Sequence, residues 1–152
     1  MDHADRARTP VHLWIVGVLA LLWNAIGAYD YLMTRMRNTD YLAEMMPTAD
    51  PQAVLAWVDA FPVWAQFGWG LGVWGGLLAS ILLLARSRWA VPVFGLSLVG
   101  AILGLGYQAV AAPPLAGMED SQAAAVMPYL IIGVALALFL YARSMRAKGV
   151  LR

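Results

Sequence analysis

Apolar positions run in four long blocks along this chain, separated by stretches where prolines, charges and small polar residues collect. The blocks cover about residues 11–31, 62–85, 89–112 and 126–142. A helix needs ~20 mostly apolar residues to cross about 30 Å of hydrocarbon. In lipid, a spanning segment must also satisfy its own backbone N–H and C=O groups, which a helix does. The pattern therefore predicts an all-α, polytopic membrane protein, with residues 1–152 forming one domain built as a four-transmembrane-helix bundle. The first block has a rival reading as a cleaved signal peptide, because residues 13–23 resemble an apolar core followed by the small Ala25 and Gly27. Asp2 and Asp5 in the leading segment, and an apolar stretch longer than such a core, favour an uncleaved helix.

The connections differ in kind. Arg86-Ser87-Arg88 leaves room only for a tight turn, so the second and third spans form an antiparallel hairpin. Pro113-Pro114 ends the third span, and residues 117–122 make a short acidic loop. The first connection is longer and has structure of its own. Thr48 or Asp50 is placed to cap a helix with Pro51 in its first turn. Val54, Trp57, Val58 and Phe61 then recur at i, i+3, i+4 and i+7, giving one apolar stripe. Such a short amphipathic helix in the first outer loop either lies in the membrane interface or packs over the bundle's mouth. A second short helix is expected over residues 40–46. The chain shows no internal repeat, so the symmetry argument for a transporter's midplane site has no hold.

Composition agrees with this solvent assignment. The chain is 62% hydrophobic and 12% charged, against ~45–50% and ~25% for soluble domains. The net charge of +1 says little, but its placement says more. Arg6, Arg8, Arg86, Arg88, Arg143, Arg146, Lys148 and Arg152 fall on one side of a four-span layout, eight of the ten basic residues. Arg35 and Arg37 share the other side with Asp40, Glu44, Asp50, Asp59, Glu119 and Asp120. The excess of basic residues makes the first side cytoplasmic. The expected setting is the bacterial inner membrane, with both termini in the cytoplasm. No basic patch with interleaved aromatics is present, so nucleic-acid binding is disfavoured. The expected partners are the lipid bilayer and either a larger membrane complex or further copies of the chain.

Because lipid tails are as apolar as the helices, close packing depends on small residues. Gly68, Gly72 and Gly76 form such a stripe, with Gly75 beside them. Gly100 and Gly104 form one in the third span, near Ser97 and Ala101, and Gly133 and Ala137 one in the fourth. Packing within the chain and a homodimer face are both compatible with these stripes. Trp64 and Trp89 fall at opposite interfaces, where an amphipathic ring is favoured. Trp69 and Trp74 leave open a stacking groove for a ligand.

Polar groups within spans are costly unless paired, so each is a candidate site. Asn24 lies mid-span. Asp30, Gln66, Tyr107, Gln108 and Tyr129 all fall towards the outer ends of their spans. Antiparallel threading brings them to similar depth, so they are the candidate lining of a polar pocket open to the periplasm. Simpler fates stand beside this: Asn24 as an interhelical clasp, Asp30 paired with Arg35 or a tyrosine, and Gln66 bonded to Gln108 or a carbonyl.

Several chemistries lose support. The chain has no cysteine, which removes thiol redox, iron–sulfur and thiolate–zinc sites. His3 and His12 both precede or begin the first span, so one protomer offers no bis-histidine haem site or histidine metal site. GxSxG, HExxH and Walker motifs are absent. No cofactor and no enzymatic activity are expected.

Residues 22–33 (LWNAIGAYDYLM) and 82–92, with the turn Arg86-Ser87-Arg88-Trp89-Ala90, join the four-span layout and arginine-rich tail in a wider likeness. Over nearly its whole length the chain resembles a group of uncharacterised bacterial inner-membrane proteins of similar size, whose members are often labelled sugar transporters. The resemblance implies the four-helix architecture and carries over no functional residue. Pro51-Gln52 lies in a polar connection, not within a span where compact sugar carriers place their proline hinge. The function expected is that of a non-enzymatic membrane protein, an accessory subunit of a larger complex or a small-molecule binder at the outer face. A small oligomeric transporter is the alternative, and a membrane-enzyme accessory the second alternative.

Overall fold

The computed structural model describes residues 9–152. Six helices lie among them: α1 (Val11–Arg35), α2 (Thr39–Met45), α3 (Pro51–Asp59), α4 (Val63–Leu84), α5 (Ala90–Val110) and α6 (Gln122–Ala147). Four of these, α1, α4, α5 and α6, are long and apolar enough to cross a membrane. The expected all-α, four-span architecture is therefore present. Arg6, Arg8, Asp2, Asp5 and His3 lie outside the described residues.

Prolines and short polar side chains set the helix starts. Pro10 and Pro62 occupy the N-caps of α1 and α4, where a missing N–H costs nothing. Asn38, Asp50 and Ser121 cap α2, α3 and α6 with side-chain oxygens that accept from Tyr41, Gln52 and Ala124 backbone N–H groups. Of the two caps weighed for α3, Asp50 fills the position. α1 and α6 outrun their apolar blocks, reaching Arg35 at one end and spanning Gln122 to Ala147 at the other. Hydropathy reads depth in the bilayer, whereas a helix continues until its backbone bonds are capped. Arg37 and Arg86, both at φ 58°, and Gly149 at φ 69° end α1, α4 and α6 in left-handed turns. In each, the next residue's N–H reaches back five positions, as Asn38 to Met33, Ser87 to Leu82 and Val150 to Met145.

α1 packs on α4, α4 on α5 and α5 on α6, with no continuous seam closing α6 back onto α1. The α4–α5 contact is the closest. A Cβ on Gly100 would stand 2.5 Å from Gly72 N and 2.7 Å from Gly68 O, and one on Gly104 would stand 2.7 Å from Trp69 N. Backbone meets backbone there, and Ser97 Oγ donates to Gly72 O at 2.6 Å to lock the pair. The glycine stripes of the second and third spans are thus used within the chain. Gly133 and Ala137 are not: both are exposed, and a Cβ on Gly133 would meet nothing within 4 Å.

Two cores close the ends. At the hairpin end, Leu13, Leu83, Phe94, Ala142 and Met145 enclose Val150 and Leu151 from beyond α6. Two backbone bonds hold that tail to the α4–α5 turn, Arg88 N to Arg152 O at 2.7 Å and Arg152 N to Arg86 O at 2.8 Å. His12 Nδ1 lies 2.6 Å from Tyr141 Oη, joining α1 to α6 at this end. At the opposite, cap end, Leu42, Ala49, Val54 and Leu55 form a second core with Leu115 and Met118. α3 therefore spends its apolar face on α2 and the α5–α6 loop, the packed alternative for this helix. Trp57 Nε1 donates to Pro113 O at 2.7 Å and pins α3 to that loop.

Candidate functional site

The chain reverses at the cap end through α2 and α3, which drops the last turn of α3 between the end of α1 and the start of α4. A cavity of about 160 Å³ lies in that corner, lined by Thr34, Arg35, Arg37, Leu55, Val58, Asp59 and Gln66. At ~30 Å³ per liquid water, it has room for several waters or one small solute.

Gln66 fixes the geometry. Its amide nitrogen donates to Phe61 O at 2.9 Å and to Asp59 O at 3.4 Å, carbonyls at the α3–α4 corner. Its oxygen is thereby turned outward, and Arg35 Nη1 donates to it at 3.1 Å. Arg35 is thus held by a neutral acceptor. Beside it, Arg37 Nη1 donates to Asp59 Oδ2 at 2.9 Å, an ion pair half open to solvent. Two arginines and one aspartate leave the lining one positive charge in excess. A guanidinium offers five N–H donors in a planar fork suited to carboxylate or phosphate, and Gln66 engages one of them.

The six sequence candidates do not form one pocket. Gln66 alone lines the cavity. Asp30 sits one turn before Thr34 on α1, and its Oδ1 accepts from Tyr41 Oη at 2.9 Å rather than pairing with Arg35. Tyr29 meets the Tyr41 ring edge-on at 5.5 Å. Burial, then the hydrogen bond to Asp30 and its charge, push the Tyr41 pKa up to about 12. Tyr107 packs edge-to-face with Phe61 at 5.0 Å and Trp64 at 5.5 Å. Gln108 is half-buried on α5, outside the cavity lining, and Tyr129 is exposed on α6. Asn24 lies well below, where its amide donates to Ala20 O at 2.8 Å and Ser80 Oγ at 3.2 Å. That is the clasp reading. Trp69 and Trp74 flank Tyr31, at 4.7 Å and 6.1 Å between ring centroids, so the ring of Tyr31 occupies the groove between them.

Depth was readable from the sequence, but rotation about each helix axis was not, and rotation decides which side chains converge. Arg35 and Arg37 carried one overlooked signal: they are the two basic residues on the side otherwise rich in acids. Thr34, buried at 7% exposure, and the α3 residues Leu55 and Val58 gave none. No protein-family model, curated protein or solved structure matches this chain.

Proposed function

We propose that this chain is a non-catalytic protein of the bacterial inner membrane that binds a small anionic solute at its periplasmic rim. The hairpin end and α6 tail lie in the cytoplasm in this reading, which the lysine and arginine distribution supports. The observation that carries the binding role is the Arg35–Gln66 pair at the cavity wall. A cation held by a neutral amide keeps its charge available, whereas one spent on a carboxylate does not. A small mono- or dicarboxylate, or inorganic phosphate, matches the fork, the excess charge and the cavity's size.

Thermal melts of the detergent-solubilised protein with acetate, succinate, inorganic phosphate and glycerol test this. At least one anion raises the melting midpoint, glycerol does not, and Arg35→Gln abolishes the shift without lowering the unliganded midpoint. Equal shifts in the Arg35→Gln variant, or none with any anion, would overturn the proposal.

A second reading, as a subunit of a larger complex or an oligomer, draws on α6. In its most apolar stretch only 6% of residues are buried, the lowest share of the four long helices. Cross-linking through the Gly133 and Ala137 face of α6 distinguishes a partner helix there from lipid alone.

A further inference from the structure

At the hairpin end a groove of about 470 Å³ runs between α5 and α6, lined by Val91, Phe139, Arg143, Arg146 and Ala147. Phe139, Arg143, Arg146 and Ala147 recur at i, i+4, i+7 and i+8, so they share one face of α6. The Phe139 ring lies against Gly95, where a Cβ would stand 3.4 Å from its Cε2, and gives the groove an aromatic floor. Arg143 stands one turn beyond Phe139, about 6 Å along the helix axis. The groove therefore passes from apolar to cationic along the helix. Trp89, exposed at the start of the neighbouring α5, marks the interfacial level beside it.

Among the described residues the cations there have no acidic side chain as counter-charge; Asp2 and Asp5 lie outside those residues. The acids among the described residues, Asp30, Asp40, Glu44, Asp50, Asp59, Glu119 and Asp120, belong to the cap-end half. Among those residues the one ion pair is Arg37–Asp59, at the same end. Arg86 at the hairpin end is engaged by Thr9 Oγ1, to which its Nη1 donates at 2.8 Å. Arg143 and Arg146 carry no such bond among the described residues.

From this arrangement we propose that the α5–α6 groove binds one anionic glycerophospholipid. Its phosphodiester sits between Arg143 and Arg146, beside Val91, and an acyl chain lies along Phe139. An amphiphile is the one ligand class whose own order of polar and apolar parts matches the groove. Basic pockets between spanning helices recognise acidic head groups in this way. The site is separate from the cap-end cavity, so either can fail without the other.

The test uses detergent-solubilised Arg35→Gln protein, which lacks the cation of the cap-end cavity, titrated with dihexanoyl phosphatidylglycerol, dihexanoyl phosphatidylcholine and inorganic phosphate, read as the melting midpoint. Phosphatidylglycerol raises it in a saturable way, whereas phosphatidylcholine and phosphate do not. Replacing both cations, Arg143→Gln with Arg146→Gln, weakens phosphatidylglycerol binding by about tenfold. Arg88→Gln, which removes a charge outside the groove, leaves it unchanged. Arg143→Lys combined with Arg146→Lys keeps most of the affinity because charge is retained. An equal response to phosphatidylcholine, an equal response to phosphate, or undiminished affinity in the double Gln variant would each overturn the assignment.

Discussion

Asn24 on α1 donates to Ser80 Oγ on α4 at 3.2 Å, with its side-chain oxygen lying over Gly76. Ser80 in turn donates to Gly76 O at 2.8 Å, so the clasp is a short chain of bonds inside the membrane-spanning layer. Asn24→Ala should cost about 0.6–2 kcal/mol, the scale of interhelical hydrogen bonds in membrane proteins and model peptides. Gly76→Ala drives a methyl into the Asn24 oxygen and costs about 1–3 kcal/mol. In the double variant that oxygen is gone, so the combined loss falls short of the sum. Reversible unfolding in mixed micelles reads all three.

The α4–α5 seam predicts a contrast between glycines. Gly100→Ala places its methyl against Gly72 N and Gly68 O, backbone atoms with no rotamer to move, and so parts the two helices. The expected loss is at least about 2 kcal/mol, within the range for overpacked sites. Gly133→Ala meets nothing within 4 Å and should be neutral or stabilising by up to about 1 kcal/mol. Melting midpoints of the two variants separate them.

Within the cap-end cavity, Gln66→Ala releases Arg35 from its anchor and should lose the anion-induced shift in midpoint. Gln108→Ala should retain it, because Gln108 does not line the cavity. Asp59→Asn removes the partner of an ion pair that is about half exposed on both sides, and should cost less than about 1 kcal/mol.

Tyr41 predicts a pH dependence. Its pKa is raised to about 12 from 10.0. A folded-state pKa above the unfolded one contributes stability that is fully present below the unfolded pKa. That contribution disappears as pH climbs through the folded-state value. Phenolate absorbance during alkaline titration should therefore show a late-ionising component that shrinks by one tyrosine in Tyr41→Phe. In Asp30→Asn it should titrate earlier, since the carboxylate that repels the phenolate is removed.

The spans were legible because lipid demands long apolar blocks, and α4 (Val63–Leu84) and α5 (Ala90–Val110) fall within a residue or two of their blocks. The start of α3 was legible too, since Asp50 and Pro51 carry their conformational preference locally. Other features depend on residues distant along the chain. Nothing in Val150-Leu151 announces that it inserts beside Leu13 and Leu83. The Arg35–Gln66 and Tyr41–Asp30 bonds follow from where α2 and α3 set the ends of α1 and α4. The sequence pattern constrained depth and left facing undetermined, so Gln66 was found and its arginine partner was not.

The chain has no cysteine, so single-cysteine variants report topology without background. Ser87→Cys in the hairpin and Asp120→Cys in the α5–α6 loop lie at opposite ends of α5. In sealed, right-side-out vesicles, a membrane-impermeant maleimide should label Asp120→Cys directly and Ser87→Cys only after the membrane is opened. Labelling of both positions in intact vesicles would contradict a bilayer-spanning bundle.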